Sequence, residues 1–236
     1  MDTYSTEDGR TKANFGQAAK QLTLTGKRAV LLVSVGQRYH EGDKLRATVE
    51  LVNRSGFAHL TIAVADTLQR TNYLDISVEE AYFKALQEGD EWLERNEKIL
   101  GRLTVPHDVL RWGQALHDPE YFTFRKRIEY AYENDEGYRQ AVQATIARFI
   151  ERLTSRDPDA DVELAFEKCL SYLIEECPII MPLWAHRGYD YVIYPQPMTA
   201  AMAETQRLFV TDDYPGKGGW LSLRFKKRAN VPEPAA

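Results

Sequence analysis

The chain has 236 residues, 44% of them hydrophobic, which is enough to bury one large core, and α/β domains of this size commonly stay single. A net charge of −5 disfavours a general nucleic-acid binder, because phosphate contacts need clustered Lys and Arg. No apolar run approaches the roughly 20 residues of a membrane-spanning helix, and no signal-peptide pattern opens the chain. We therefore expect one cytoplasmic domain over residues 26–228.

Both ends of the chain lack apolar periodicity. Residues 1–25 carry Ser, Thr, Gly and mixed charge, which predicts a flexible arm. Residues 229–236 include two prolines, which predicts a frayed tail. We expect the chemistry to lie between these ends.

The hydrophobic pattern alternates between strands and helices along the chain. Short β-rich runs over residues 28–34 and 59–65 flank a helical pattern over residues 43–53. A longer helical pattern over residues 77–100 begins with a capping-box signature. Beyond it we predict three further strands, over residues 108–112, 190–194 and 220–225. We also predict four further helices, from residue 118 onward and over residues 137–153, 161–181 and 199–207. This alternation predicts an α/β fold with a mainly parallel sheet flanked by helices on both faces.

Ser34 ends the first predicted strand, and ligands of such sheets bind beyond the carboxyl ends of the strands. The turn that follows contains Gly36, so the serine hydroxyl can face a cleft with backbone N–H groups nearby. An isolated serine in this position is more often a plain turn residue. The G-x-S-x-G elbow of α/β-hydrolases is absent and no histidine has the pattern of a triad base, which disfavours an ordinary serine hydrolase.

Tyr172 and Glu176 are four residues apart in a helical pattern, so they share a helix face. A carboxylate there could hold a substrate ammonium and later accept its proton. The competing interpretation is a solvated Glu beside a Tyr at the edge of the core. Glu175 lies about 100° round the helix and does not stack on Tyr172. Pro178 predicts a kink or an end just beyond the pair.

The chain lacks the G-x-G-x-x-G and G-x-x-x-x-G-K-[ST] motifs of nucleotide sites and has no Cys/His spacing suited to zinc. We therefore expect no metal and no cofactor.

The order and spacing of five short segments resemble the motifs of the cyclodipeptide synthases, a family that takes two aminoacyl-tRNAs and releases a cyclic dipeptide. The matching segments are Ser34-Val-Gly36-Gln37, Asp66-Thr67, Pro119-Glu-Tyr121, Tyr172-Leu-Ile-Glu-Glu176-Cys-Pro178 and Tyr194-Pro195. Gln37 and Pro195 resemble the subfamily with a variable residue and a Tyr-Pro pair, rather than the one with Asn and Tyr-His. No segment is specific alone, but five in order are hard to obtain by chance.

The resemblance implies a Rossmann-like fold similar to the catalytic domain of class I tyrosyl- and tryptophanyl-tRNA synthetases, usually monomeric. It implies a ping-pong reaction through aminoacyl-Ser34 and dipeptidyl-Ser34 enzymes. Its catalytic residues would be Ser34, Tyr172, Glu176, Tyr194 and Tyr121, with Gly36, Gln37, Asp66 and Pro195 at the substrate pocket. The implied partners are two aminoacyl-tRNAs, with no DNA and no membrane.

The tRNA surface departs from the family pattern. The family often has a strongly basic helix after the second strand, whereas residues 77–102 contain four basic and seven acidic residues. We therefore expect tRNA contacts at one or both of two other basic clusters. These are Arg125, Lys126 and Arg127, and the cluster of Arg224, Lys226, Lys227 and Arg228.

Two other functions stay open from the sequence. One is a non-catalytic tRNA-binding domain on the same scaffold, although such a domain has no need of all four residues Ser34, Tyr172, Glu176 and Tyr194. The other is a serine esterase, which would hydrolyse simple acyl esters without tRNA.

Overall fold

The computed structural model describes residues 11–73 and 75–227, and a six-stranded sheet lies at its centre. The strands are Thr11–Phe15 (β1), Arg28–Ser34 (β2), His59–Ala65 (β3), His107–Arg111 (β4), Tyr191–Tyr194 (β5) and Gly219–Lys227 (β6). Their order across the sheet is β1-β6-β5-β2-β3-β4. Only the β1–β6 pair is antiparallel among these neighbours, which confirms the mainly parallel sheet predicted from the sequence.

Helices cover both faces of the sheet. They are Gly42–Asn53 (α1), Val78–Leu100 (α2), Trp112–Leu116 (α3), Tyr121–Asn134 (α4), Glu136–Thr154 (α5), Val162–Pro178 (α6), Trp184–His186 (α7) and Ala200–Phe209 (α8). Side chains of a strand alternate between faces, so Leu31 and Val33 of β2 join a buried cluster with α1 and α2. Val30 and Leu32 join the opposite cluster, which includes α4, α5, α6 and α8. Burial on both faces explains the continuous apolar run of β2.

The starts of two long helices follow from local sequence. At α2, the Ser77 hydroxyl accepts a hydrogen bond from the Glu80 N–H, and the Glu80 carboxylate accepts one from the Ser77 N–H, which confirms the capping box. The helix predicted from Asp118 begins at Tyr121. Just before it, the Asp118 carboxylate accepts a hydrogen bond from the Glu120 N–H.

The chain stays helical beyond Pro178. A π-helical turn over Ile179–Leu183 follows α6, and α7 continues it to His186. A second proline, Pro182, lies inside the π-helical turn. Proline has no N–H to donate and its ring crowds the preceding turn, and the wider π-helical turn accommodates Pro182 without ending the helix. The helix predicted over residues 161–181 is therefore part of a longer helical segment.

The prediction of a flexible arm is wrong for residues 11–15, which form β1 and pair with β6. Ala13 is 1% exposed, and its carbonyl accepts a hydrogen bond of 2.7 Å from Arg54. Five residues with two apolar side chains give too short an alternation to indicate a strand, and the pairing partner is about 210 positions away. Residues 1–10 of the predicted arm and the predicted tail lie outside the described residues.

Among residues 11–73 and 75–227, no helix combines the length and apolar character needed to cross a membrane.

Candidate active site

Three parallel strands end at one edge of the sheet. Ser34 ends β2, Ala65 ends β3 and Tyr194 ends β5. After Ser34 the backbone turns through Gly36, whose φ of +82° is a conformation that favours glycine, and the Gln37 N–H donates to the Ser34 carbonyl at 3.3 Å. This turn carries the chain away and leaves the serine hydroxyl at the carboxyl edge.

A chain of three hydroxyl groups joins Ser34 to the following turn. The Ser34 Oγ lies 3.0 Å from the Tyr194 Oη, which lies 2.9 Å from the Tyr39 Oη. Each hydroxyl can donate one proton and accept others, so the chain can run in either direction. Burial raises the pKa of both tyrosines, so both are protonated at neutral pH. Either one can therefore pass a proton on only while it receives another.

Aromatic rings hold Tyr194 in place. Its ring centroid is 5.9 Å from that of Tyr39, 5.6 Å from that of His40 and 5.7 Å from that of Trp220. Pairs of this kind contribute about 0.5–1.5 kcal/mol each beyond burial. The His40 side chain is almost fully buried, and burial lowers its pKa to about 3, so the ring is neutral. Its Nε2 has no hydrogen-bond partner among the described residues.

The sequence does not predict a role for Tyr39 or His40. They reach the site because a 3₁₀ turn over Arg38–His40 directly follows the Gly36 turn and directs the chain back along the edge. The available signal is an aromatic pair five and six residues after the strand-end serine, which is too common a pattern to identify a site.

Tyr172 and Glu176 form the second half of the site. The Tyr172 hydroxyl donates to the Glu176 carboxylate at 3.4 Å, as the spacing on one helix predicts. Glu176 is 7% exposed, and burial raises its pKa to about 8, an effect that the Tyr172 hydrogen bond partly offsets. Burial is the main cause of the raised pKa of Tyr194, and the Glu176 charge adds to it. The carboxyl group therefore lies within electrostatic range of the hydroxyl chain.

Glu175 has a different partner. Its carboxylate accepts hydrogen bonds from both terminal nitrogens of Arg70 and, at 3.0 Å, from the Trp112 indole. The ion pair engages Glu175 in the protein interior and leaves Glu176 as the carboxyl group beside Tyr172. These partners confirm that the Glu175 side chain does not stack on Tyr172, as the helix geometry predicts.

Tyr121 lies on the Glu175 side. It is 3% exposed, and its hydroxyl accepts a hydrogen bond of 3.3 Å from Arg125. Burial raises its pKa, the Arg125 charge opposes this effect and the Glu175 charge adds to it. No hydrogen bond in the described part of the chain joins it to Ser34 or to Glu176.

Asp66 is expected at the substrate pocket, and its side chain is fully buried. It accepts hydrogen bonds from the Thr67 N–H at 2.7 Å and the Trp112 N–H at 3.3 Å, and it pairs with Arg111. These bonds join the carboxyl ends of β3 and β4. The contact of Asp66 with substrate stays a prediction.

The remaining predicted pocket residues flank the two site strands. Gly36 and Gln37 are exposed after β2, and Pro195 is half-buried after β5. All three therefore lie at the same edge as Ser34.

The two basic clusters differ in how their cations are engaged. Arg125 pairs with Glu129 at 2.8 Å, and the Arg127 guanidinium lies 5.3 Å from the Phe209 ring, while Lys126 is exposed. In the second cluster Arg224, Lys226 and Lys227 are exposed on β6, and Arg228 lies outside the described residues.

Across residues 11–73 and 75–227, no group of three or more His, Cys, Asp or Glu side chains could hold a metal ion. Fold and geometry together define a class of protein: a Rossmann-like α/β chain with a serine-centred site at the carboxyl edge of a parallel sheet, supported by a buried glutamate.

No protein-family model matches the chain, and no curated protein matches it, but solved structures do. It is similar to a cyclodipeptide synthase from Fluoribacter dumoffii, with 35% identity, a TM-score of 0.86, and coverage of 92% of this chain and 99% of that one. A cyclodipeptide synthase from Candidatus Glomeribacter gigasporarum, bound to Phe-tRNAPhe, matches with 19% identity, a TM-score of 0.69 and coverage of 94% and 97%.

A third similar structure is from Mycobacterium tuberculosis, with 15% identity, a TM-score of 0.65, and coverage of 93% of this chain and 94% of that one. That structure demonstrates that cyclodipeptide synthetases are related to type I tRNA synthetases. The chain belongs to the cyclodipeptide synthase family. This confirms the family and the fold predicted from the motifs. The subfamily indicated by Gln37 and Pro195 stays a prediction.

Proposed function

We propose that this cyclodipeptide synthase takes two aminoacyl-tRNAs and joins their aminoacyl groups through esters on Ser34, in the cytoplasm, where aminoacyl-tRNAs are formed. The observation that carries the proposal is the Ser34 hydroxyl, 3.0 Å from the Tyr194 hydroxyl, together with the buried Glu176, whose charge adds to the burial that raises the pKa of Tyr194. The Glomeribacter relative bound to Phe-tRNAPhe supports the substrate class.

In the first step the Ser34 Oγ attacks the carbonyl carbon of the ester that links an aminoacyl group to the terminal ribose. The serine O–H bond breaks as the new C–O bond forms, and the proton passes to the Tyr194 oxygen, which gives its own proton onward. The ribose oxygen leaves and takes up a proton. Backbone N–H groups of the turn at Gly36 stabilise the developing oxyanion. One ester replaces another, so the step is close to thermoneutral and needs no ATP.

In the second step the amino group of aminoacyl-Ser34 must lose a proton. An α-amino group has a pKa of about 8, and Glu176 has a pKa of about 8. Proton transfer between them is nearly isoenergetic, which is the condition for an efficient general base. The Tyr172 hydroxyl orients the carboxyl group. The free amine then attacks the ester of the second aminoacyl-tRNA and gives dipeptidyl-Ser34.

In the last step the new amino terminus attacks the Ser34 ester. The C–Oγ bond breaks, Tyr194 returns a proton to Ser34, and the cyclic dipeptide leaves. Tyr121 and Asp66 support the pocket from behind as positioning residues, because both are buried against the chain's own arginines.

The test is mass spectrometry of medium from cells that express the wild type, Ser34→Ala or Ser55→Ala. Ser55 is the control, because its hydroxyl donates a hydrogen bond to the Leu51 carbonyl near the end of α1 and has no other partner in the described part of the chain. We expect cyclic dipeptides from the wild type and the control and none from Ser34→Ala. Cyclic dipeptides from Ser34→Ala would exclude the covalent mechanism.

The two alternative functions give other results in the same experiment. A tRNA-binding domain without catalysis yields no cyclic dipeptide from any variant although charged tRNA binds. A serine esterase yields none either, and the purified protein hydrolyses p-nitrophenyl acetate without tRNA in a Ser34-dependent manner.

A further inference from the structure

A 3₁₀ turn over Thr67–Asn72 follows β3 and packs against α6, the helix of Glu176. Asp66 fixes the start of the turn, because its carboxylate accepts a hydrogen bond from the Thr67 N–H at 2.7 Å and its carbonyl accepts one from the Gln69 N–H at 2.8 Å. On the other side, Arg70 of the turn pairs with Glu175 of α6. Gln69 therefore lies on a turn that is fixed both to β3 and to α6.

The Gln69 side chain is buried, and its amide has a defined orientation. It is 8% exposed. Its Nε2 donates to the Ala65 carbonyl at 3.2 Å, and its Oε1 accepts from the Asn72 Nδ2 at 2.8 Å. A primary amide has one acceptor oxygen and two N–H donors. Asn72 therefore engages the oxygen, and one N–H of Gln69 stays available for a further acceptor.

This further acceptor is the Tyr172 hydroxyl. Burial raises the pKa of Tyr172 well above its ordinary value, the charges of Glu176 and Tyr194 add to this rise, and a hydrogen bond with the Gln69 side chain opposes it. A hydrogen bond lowers the pKa of a phenol when it is donated to the phenol oxygen. Gln69 is therefore the donor, and the proton of the Tyr172 hydroxyl is left for Glu176.

The Glu176 carboxylate depends on this single proton. Within residues 11–73 and 75–227, the Tyr172 hydroxyl donates the only hydrogen bond that the Glu176 side chain accepts. The distance of 3.4 Å between the two oxygens is longer than the usual range of about 2.5–3.0 Å for O–H···O bonds. A small rotation of the Tyr172 hydroxyl is therefore enough to break the bond.

The other titratable groups near Glu176 carry no charge at neutral pH. The Glu176 charge acts on four of them, Tyr39, Tyr194, Cys169 and Cys177, and burial raises the pKa of each. A hydroxyl or thiol that stays protonated gives no ionic support to a carboxylate. Among the described residues, Tyr172 is therefore the group that stabilises ionised Glu176, an effect visible as a lowering of the pKa of Glu176.

We propose that Gln69 is a positioning residue for the proton transfer at Glu176: its amide holds the Tyr172 oxygen so that the Tyr172 proton points at the Glu176 carboxylate. The inference rests on the proposed function and adds the residue that sets the direction of the Tyr172–Glu176 hydrogen bond. Gln69 acts through Tyr172 and not on the substrate.

The first test is the pH dependence of turnover in Gln69→Met, which keeps the length of the side chain and removes its amide. A general base works in its ionised form, so kcat of the wild type should rise with pH through about 8, the pKa of Glu176. Without Gln69 the carboxylate loses its hydrogen bond, so its pKa rises. We expect the acid limb of kcat to move up by about one pH unit, which lowers kcat at pH 7 about tenfold. The KM for aminoacyl-tRNA should stay unchanged.

Gln69 also satisfies the Ala65 carbonyl at the end of β3, and that role alone makes no demand on Glu176. A purely structural role would lower the melting temperature of Gln69→Met and leave the acid limb in place. A second substitution separates the two roles further. In a Tyr172→Phe background, Gln69→Met should cause no further loss of kcat, because the hydroxyl through which it acts is gone. Additive losses overturn the proposal.

The titration of Glu176 gives a readout that does not need turnover. Glutamate is labelled with carbon-13 at the side-chain carboxyl, and the Glu176 resonance is identified by its absence in Glu176→Gln. We expect a higher titration midpoint in Gln69→Met than in the wild type. Asn72→Ala should shift the midpoint in the same direction by less, because it frees the Gln69 oxygen and lets the amide rotate. Asn72 is exposed, so this variant carries the test if Gln69→Met does not fold.

The matched control is Gln206→Met, the same substitution on α8. The Gln206 Nε2 donates to the Gly218 carbonyl at 2.9 Å and to the Lys217 carbonyl at 3.4 Å, and to no residue of the site. We expect the wild-type midpoint and the wild-type acid limb from this variant.

Equal Glu176 midpoints in the wild type, Gln69→Met and Asn72→Ala overturn the proposal. A shift of the same size in Gln206→Met also overturns it, because the effect would then not depend on Tyr172. If the wild type makes no cyclic dipeptide but the midpoint moves in Gln69→Met and not in the control, the positioning role stands and the proposed function fails.

Discussion

The Ser34 hydroxyl is part of a chain that ends at Tyr39. Tyr194 takes the central position, 3.0 Å from Ser34 and 2.9 Å from Tyr39. A hydroxyl between two others is fixed in direction at both ends, so the proton position on Tyr194 depends on Tyr39. Tyr39 therefore acts on Ser34 as a positioning residue.

Replacing Tyr39 by Phe tests this dependence. We expect kcat to fall about fivefold with KM unchanged, because one neutral hydrogen bond contributes about 1 kcal/mol. Tyr189→Phe is the matched control, since it removes a hydroxyl pair of 2.9 Å with Thr61. In a Tyr194→Phe background the Tyr39 substitution should cause no further loss of kcat. Independent, additive losses in steady-state kinetics would contradict the hydroxyl chain.

The raised pKa of Glu176 has a cost in stability. Its folded value of about 8 lies above the unfolded value of 4.5, so the folded state binds the proton more tightly. The stability that this proton contributes is fully present below pH 4.5 and is lost as pH rises through 8. At pH 7 the buried carboxyl therefore costs roughly 3 kcal/mol.

Glu176→Gln should consequently stabilise the protein while it stops turnover. We expect a higher melting temperature than the wild type at pH 8 and no difference at pH 4, measured by calorimetry. The variant should still form aminoacyl-Ser34 but release no cyclic dipeptide. A melting temperature that is equal to the wild type at both pH values would show that the carboxyl group is not desolvated.

At the scale of single residues, the sequence predicted that Ser34 ends a strand and that Tyr172 and Glu176 share a helix face, because strand ends and helix spacing are local features. It could not predict that Asp66 is enclosed or that Tyr39 reaches Tyr194. Both facts depend on how segments distant in the chain pack together. Single-residue patterns carry no information about such contacts.

At the scale of secondary structure, α2 packs on the end of β3 through a glycine. A Cβ on Gly89 would lie 2.7 Å from the Asp66 Cβ and 2.7 Å from the Arg111 Nη2. Asp66 is fixed by its hydrogen bonds to Thr67 and Trp112, so it cannot move aside without losing them. Gly89 is therefore required in the middle of α2, because the helix backbone closely approaches the side chains of Asp66 and Arg111.

Gly89→Ala should therefore destabilise the protein by roughly 1–3 kcal/mol, although alanine is the better helix former. Denaturant unfolding measures the change. Gly113→Ala is the control, because a Cβ there has nothing within 4 Å and α3 should gain from it. Stabilisation by Gly89→Ala would mean that α2 does not approach Asp66 this closely.

Most elements follow from the sequence at this scale, since buried parallel strands give continuous apolar runs and long helices have clear caps. β1 and the π-helical turn Ile179–Leu183 do not. β1 is stabilised by pairing with β6, which is distant in the chain. The π-helical turn contains Pro182, and proline usually ends a helix. Both depend on tertiary context.

At the scale of the whole molecule, two buried titratable groups act in opposite directions on stability. His40 has a folded pKa of about 3, below its unfolded value of 6.5, so its contribution is present above pH 6.5 and is lost as pH falls towards 3. Glu176 loses its contribution as pH rises from 4.5 to 8. The two effects narrow the pH range of maximum stability, His40 from the acid side and Glu176 from the alkaline side.

The double variant His40→Phe with Glu176→Gln should flatten the dependence of melting temperature on pH between 3 and 8. Phe keeps the ring packing against Tyr194 and removes the unpartnered nitrogen. Calorimetry across this range measures the effect. An unchanged profile would contradict the burial of both groups.

The fold class was predictable at this scale, but the strand order was not, because β6 and β1 join the sheet through contacts that no local pattern encodes. When the register is extended through β5, the same contacts place Arg224 of β6 level with Ser34.

The most direct test of the covalent mechanism on Ser34 is intact-protein mass spectrometry after mixing the purified protein with aminoacyl-tRNA. We expect a mass increase of one aminoacyl group on the wild type and on Glu176→Gln, located to the peptide that contains Ser34, and none on Ser34→Ala. Cyclic dipeptide release without any adduct, or an adduct that persists in Ser34→Ala, would contradict it.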